Sequence, residues 1–167
     1  MKDNRQRILP GPQYSNQQAV LNWGESIPSS PVFQQEKEYP QHGNVSCYEH
    51  SLSVARLSLV FAQKARIRVD AQSMVRGALL HDLFLYDWHI PDRQNPHRLH
   101  GFFHPRRALR NAQTYFSVNH LERDIILKHM FPLTLLPPMC RESWLVCAAD
   151  TVCAVREWAA GRRKWND

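Results

Sequence analysis

No stretch of this chain approaches the roughly 18 uninterrupted apolar residues that a membrane-spanning helix requires. The opening "MKDNRQRILPGPQ" has no apolar core of the secretory type. A cytoplasmic location with reduced thiols is therefore expected. The four cysteines (Cys47, Cys140, Cys147, Cys153) form no CxxC pair, which excludes a thiolate zinc site and leaves buried free thiols. Charge runs are missing as well. Twenty-one Lys and Arg against 15 Asp and Glu leave a net charge of +6, yet the basic residues are scattered. Aromatic and basic residues do not alternate as in single-strand binders, so nucleic acid is not an expected partner. Clean apolar–polar alternation and hairpin turn pairs are also lacking, which excludes a β architecture. There is no internal repeat. At 167 residues, 43% of them hydrophobic, the chain has room for one core but not two.

What is present is helical periodicity. Residues 1–43 are rich in Pro, Gln and Ser and are expected to form an irregular arm with one short helix near Asn16–Trp23. Residues 44–160 are expected to be the folded domain and 161–167 a polar tail. "SCYE" is a capping box, Ser46 with Glu49, opening a helix whose apolar stripe includes Val54, Leu57 and Phe61. Asp70 caps a second helix carrying Met74, Val75, Ala78 and Leu79. His104-Pro105 is expected to start a third, with Pro at its favoured first position. A fourth spans about Val118–Met130. The last, about Arg141–Trp158, is apolar nearly all round through "WLVCAAD" and is expected to be central. The fold class is all-α, a compact bundle of five or more core helices.

The polar residues on the core faces of these helices carry the functional signal. His50 shares its stripe with Val54 and Leu57. His81 and Asp82 end the stripe of "ALLHD". His104 heads Ala108 and Ala112, His129 finishes Leu121 and Ile125, and Asp150 sits among Val146, Cys147 and Ala154. One such histidine is most simply a hydrogen-bonded core residue. Six imidazoles and carboxylates on five helices, buried unpaired, would cost several kcal/mol apiece, against a total stability of about 5–15 kcal/mol. A metal centre at the bundle axis resolves the difficulty. Four His and two Asp form a mixed N/O donor set suited to one or two divalent transition ions. Fe or Mn is favoured, with Zn, Co, Ni or Mg as alternatives.

In order and context these residues resemble the HD-domain superfamily of metal-dependent phosphohydrolases. The matching motifs are "YEHSLSVA" (His50), "ALLHD" (His81, Asp82) and "CAAD" (Asp150), over roughly residues 42–158. His104 in "FFHPRRAL" and His129 in "ILKHMFPL" match the subset with two metals. The resemblance implies that His50, His81, Asp82 and Asp150 hold the first ion, with Asp82 bridging to a second held by His104 and His129. Many members carry Lys directly after the distal Asp, where this chain has Thr151.

The implied reaction is hydrolysis of a phosphate ester or anhydride on a nucleotide or similar small anionic metabolite. Two ions about 3.5–4 Å apart share a water, lower its pKa and bind the phosphoryl oxygens. Asp82 is the expected catalytic bridge, and Lys128 and Arg106 the expected phosphate-stabilising cations. Arg98, His100, Arg107 and Thr151 are the expected substrate contacts, although a solvated face explains each basic residue equally well. Two rival readings remain. Some HD-type proteins use a mixed-valent di-iron pair to activate oxygen, and a catalytically silent binding or signalling module is the third class. His42 and Glu49 adjoin the first ligand and could orient its imidazole; Glu49 is equally explained by capping. The Trp-bearing "REWAAGRRKWND" offers a surface for a homodimer.

Overall fold

The computed structural model describes residues 7–8, 16–90 and 100–163. Among the described residues the chain forms seven helices and four very short strands. Helix α1 is Asn16–Gly24, α2 is Pro31–Gln34, α3 is Cys47–Lys64 and α4 is Ala71–Leu80. Helix α5 is His100–Tyr115, α6 is His120–Lys128 and α7 is Arg141–Arg163. The strands β1 (Arg7–Ile8), β2 (Pro40–His42), β3 (Val45–Ser46) and β4 (Val69–Asp70) pair as two antiparallel ribbons, β1 with β4 and β2 with β3. The fold is all-α, as expected; strands of two or three residues leave no alternation to read in a sequence.

The ends of the helices follow from local chemistry. Ser46 and Glu49 form the capping box of α3, each side chain bonded to the other's backbone N–H. Asp70 accepts from the Ser73 amide at 2.9 Å and so caps α4. Asn119 and Glu122 form a second capping box at α6. Helix α5 begins four residues before the expected start, and Pro105 lies inside it. Its first turn packs on the segment after α6, where a Cβ at Gly101 would come within 2.7 Å of Leu133 Cδ2. That contact extends the helix, while Pro105 forfeits one backbone bond, to the carbonyl of Gly101.

The central helix is α4, not α7. All but one of its ten residues are buried, and it packs against α1, α3, α6 and α7. Helix α7 buries one face but leaves Trp144 (48% exposed), Val155 (60%) and Trp158 (57%) on the other. Apolar residues all round a helix therefore did not mean burial all round. Gly77 lets α4 and α6 approach closely, since a Cβ there would meet Ile125 Cδ1 at 2.6 Å. Buried Arg76 ties three elements together, donating to Glu122 and Glu25 at 2.8 Å each and to the Ser117 carbonyl at 2.9 Å.

Residues 16–43 contribute side chains to the core. Val20, Ile27 and Phe33 are core residues, and α1 packs on α3 and α4. The β2–β3 turn lies against α7 because Gly43, at φ +61°, faces Gly161. A Cβ on Gly43 would meet the Gly161 Cα at 3.3 Å. This close approach carries Gln41 and His42 to the bundle's polar centre.

Candidate metal centre

The turn that ends α4 places the doublet. His81 is the C-cap residue, Asp82 follows it, and the chain reverses through Leu85 at φ 59°. His50 comes from the first turn of α3, His104 from α5, His129 from the C-cap of α6 and Asp150 from α7. All six sequence-predicted ligands converge. His50, His81, Asp82, His104 and His129 are buried, and Asp150 is half-buried.

Two groups of donors emerge, each with ligand atoms within 4.8 Å of one another: His50, His81 and Asp150, and His81, Asp82 and His129. His50 Nε2 lies 3.0 Å from Asp150 Oδ1, and His81 Nε2 lies 3.3 Å from Asp82 Oδ2. His104 Nε2 lies 3.1 Å from Asp82 Oδ1 and 2.7 Å from His129 Nε2. The two carboxylate oxygens of Asp82 thus face different pairs of histidines. His81 belongs to both groups, so the two halves share a wall rather than standing apart.

The imidazoles are oriented from behind. His81 Nδ1–H donates to the Ala78 carbonyl at 2.7 Å and His129 Nδ1–H to the Ile126 carbonyl at 2.9 Å. Each bond fixes the tautomer that leaves Nε2 free to face the centre. His50 Nδ1–H donates to Glu157 Oε2 at 2.8 Å. Carboxylate support of this kind is usual for metal-bound histidine.

The residues present fit a divalent ion. His81 Nε2 and Asp82 Oδ1 are buried without a hydrogen-bond partner, a costly state that an ion would relieve. Two nitrogens bound to one ion at about 2.0–2.1 Å stand roughly 2.8–3.4 Å apart, and His104 and His129, at 2.7 Å, stand just short of that spacing.

Electrostatics follow the same division. Burial alone would lower His50, but its hydrogen bonds to Asp150 and Glu157 push it up to about 10. His81 is also raised, its burial outweighed by Asp82 and Asp150. Burial and the neighbouring His81 and His104 instead pull His129 down to about 3. Both carboxylates are held well below their usual range. Burial opposes this, but His81, His104 and His129 surround Asp82, and His50 and His81 surround Asp150.

A cavity of about 570 Å³ opens over this floor. Asp82, His104, His129 and Asp150 lie at its base, with Thr151 on the rim. The expected cations are placed elsewhere. Lys128 Nζ binds Asp124 at 2.6 Å, Arg107 stacks 4.6 Å above the Tyr86 ring, and Arg106 is exposed on α5. None of the three lines the cavity. Arg98 lies outside the described residues, and His100 is the first residue of α5. Thr151 lines the cavity, but its hydroxyl donates to the Cys147 carbonyl at 3.0 Å.

Three supporting residues were not singled out from the sequence. Glu157 stands two turns after Asp150 on α7, and its partner His50 lies 107 residues away. Gln41 Nε2 donates to Asp82 Oδ2 at 2.6 Å, while Cys47 Sγ donates to Gln41 Oε1 at 3.3 Å. Glu36 is fully buried with neither carboxyl oxygen hydrogen-bonded; burial, then the charge of Asp82, raise it well above its usual value. Of the residues weighed earlier, His42 packs edge-on against His50 with ring centroids 5.7 Å apart, and Glu49 serves its cap.

A family model for the HD domain matches residues 47–155. The chain belongs to the HD domain family. HD domains are mostly metal-dependent hydrolases, and they bind divalent metals. No curated protein and no solved structure matches the chain. Among the described residues, no helix is long and apolar enough to cross a membrane.

The geometry makes Glu157→Gln informative. Removing the charge behind His50 Nδ1 is expected to weaken metal binding about 10–100-fold. Competition with a chromogenic chelator would measure this; unchanged affinity would mean that Glu157 only packs.

Proposed function

We propose that this chain is a metal-dependent phosphohydrolase acting on a phosphate ester or anhydride of a nucleotide or similar small metabolite. The observation that carries the reading is the pair of buried donor groups joined through Asp82 and His81 beneath an accessible cavity. His50, His81, Asp82 and Asp150 would hold one divalent transition ion, and Asp82, His104 and His129 a second, with Fe or Mn suiting the donors best. Such ions supply an acidified water as nucleophile and charge stabilisation for the phosphoryl oxygens.

The chain's own residues prepare that chemistry. Ala78, Ile126 and Glu157 lock three imidazoles in the orientation that presents Nε2. Gln41 pins the Asp82 carboxylate from the side opposite His104 and His129, limiting its rotation. Phe131, Met130 and Trp88 give the cavity apolar lining, and low-polarity surroundings strengthen charge interactions.

Metal uptake should be coupled to protons. His50, raised to about 10, carries a proton at neutral pH that must leave before Nε2 can bind an ion. Affinity should therefore tighten as pH rises from 6.5 towards 10, with proton release seen as a buffer-dependent binding enthalpy. A pH-independent affinity over that range would remove His50 from the ligand set.

The reading is tested by phosphate release from the Mn-loaded and the chelator-treated chain, with and without oxygen. Hydrolysis in both atmospheres that is lost with the metal is the expected result. Turnover that requires iron and oxygen would replace it with the oxygenase reading, and a chain that binds no metal would leave only a binding module.

A further inference from the structure

The cavity's wall differs in character from its floor. Besides the histidines and carboxylates, Met130, Phe131, Pro132, Leu133, Ala154, Val155 and Trp88 line the cavity. Among the described residues, no Lys or Arg lines it. Two basic residues close in sequence to the converging histidines are engaged elsewhere, Lys128 with Asp124 and Arg107 with Tyr86. Beyond the floor, the polar side chains of the described wall are Gln41, His42 and Thr151, and two of these are committed. Thr151 bonds back to its own helix, and Gln41 bonds to Asp82. At about 570 Å³ the cavity is large enough for a small-molecule ligand.

Each candidate substrate makes a different demand on such a wall. A nucleoside polyphosphate brings several charges beyond the phosphoryl group at the floor, and each needs a cation that the described wall does not offer. A nucleoside adds hydroxyls and base edges whose hydrogen bonds to water would be lost without replacement. An apolar body loses nothing and gains by leaving water. A single phosphoryl group needs only the charges at the floor.

From this we infer that the substrate is the phosphate monoester of an apolar, aromatic-sized alcohol rather than a nucleotide. The inference rests on the phosphohydrolase reading and narrows it. Water's hydroxyl oxygen bonds to phosphorus as the ester P–O bond breaks, and water's second proton goes to the departing oxygen. The products are inorganic phosphate and the free alcohol. Thr151 fits this assignment, since it contributes no charge to the wall.

The test uses two measurements on the metal-loaded full chain. Phosphate release is compared for 1-naphthyl phosphate, AMP and ATP. Binding of the non-hydrolysable 1-naphthylmethylphosphonate is followed by tryptophan fluorescence, with Trp88→Phe to identify the reporter. Naphthyl phosphate should exceed both nucleotides by about tenfold or more in kcat/KM, the scale on which apolar pockets discriminate. The phosphonate should quench in the parent and lose most of that quenching in Trp88→Phe. Thr151→Lys should narrow the preference by raising activity on ATP.

AMP or ATP cleaved as well as naphthyl phosphate would overturn the inference and leave the phosphohydrolase reading standing. Phosphonate binding with no ester cleaved would overturn hydrolysis but keep the apolar ligand class. Neither binding nor cleavage would overturn both.

Discussion

Asp82→Ala should yield a folded chain that retains neither metal ion and releases no phosphate above background. The reason is the geometry of one carboxylate. Its Oδ2 lies 3.3 Å from His81 Nε2 and its Oδ1 lies 3.1 Å from His104 Nε2, so a single truncation removes a donor from both halves. It also removes the negative charge that four closely grouped imidazoles face. The loss in affinity should exceed the roughly 100-fold that marks removal of an outer partner. Elemental analysis gives the metal content, and circular dichroism shows whether the helices persist. The aliphatic run of Ala78, Leu79 and Leu80 is untouched by the change and keeps α4 in the core. A variant that keeps two ions and full turnover would remove Asp82 from the bridging role.

His104→Ala should behave differently, and that contrast is the stronger evidence. His104 contacts His129 and Asp82 Oδ1, whereas the group of His50, His81 and Asp150 does not depend on it. One ion per chain should remain, with affinity close to that of the parent. Turnover should fall at least as far as an outer-partner loss, by about 100-fold or more, because the second half of the site then lacks a ligand. Metal-to-protein ratio and phosphate release, measured on the same preparation, decide the matter. Loss of both ions would mean that the halves act as one cooperative unit. Unchanged turnover would mean that one ion suffices.

The convergence of the six polar residues was legible because burial and polarity conflict locally. Each occupies a position whose neighbours one turn away are apolar, and that conflict can be read without knowing the fold. The capping boxes and the Asp70 cap were legible for a similar reason, since their partners lie within three residues. What escaped notice depends on distance along the chain. Glu157 meets His50 across 107 residues and Gln41 meets Asp82 across 41, pairings that no local period announces. The early start of α5 was hidden by the usual preference of Pro for the first turn, which contact between Gly101 and Leu133 overrides. The central helix was misplaced because α7 carries more apolar residues than its buried face can use. The basic residues were the least legible, since charge beside a ligand in sequence says nothing of where a flexible side chain finds its partner. Lys128 found Asp124, one turn back on its own helix.

Phosphate hydrolysis at this site depends on six side chains holding two ions. The direct measurement is the number of metal ions per chain, by elemental analysis after Mn(II) or anaerobic Fe(II) loading and removal of excess metal. Two ions per parent chain, one in His104→Ala and none in Asp82→Ala are the expected values. A parent chain that takes up no ion, or whose ratio is unmoved by either substitution, would contradict the account.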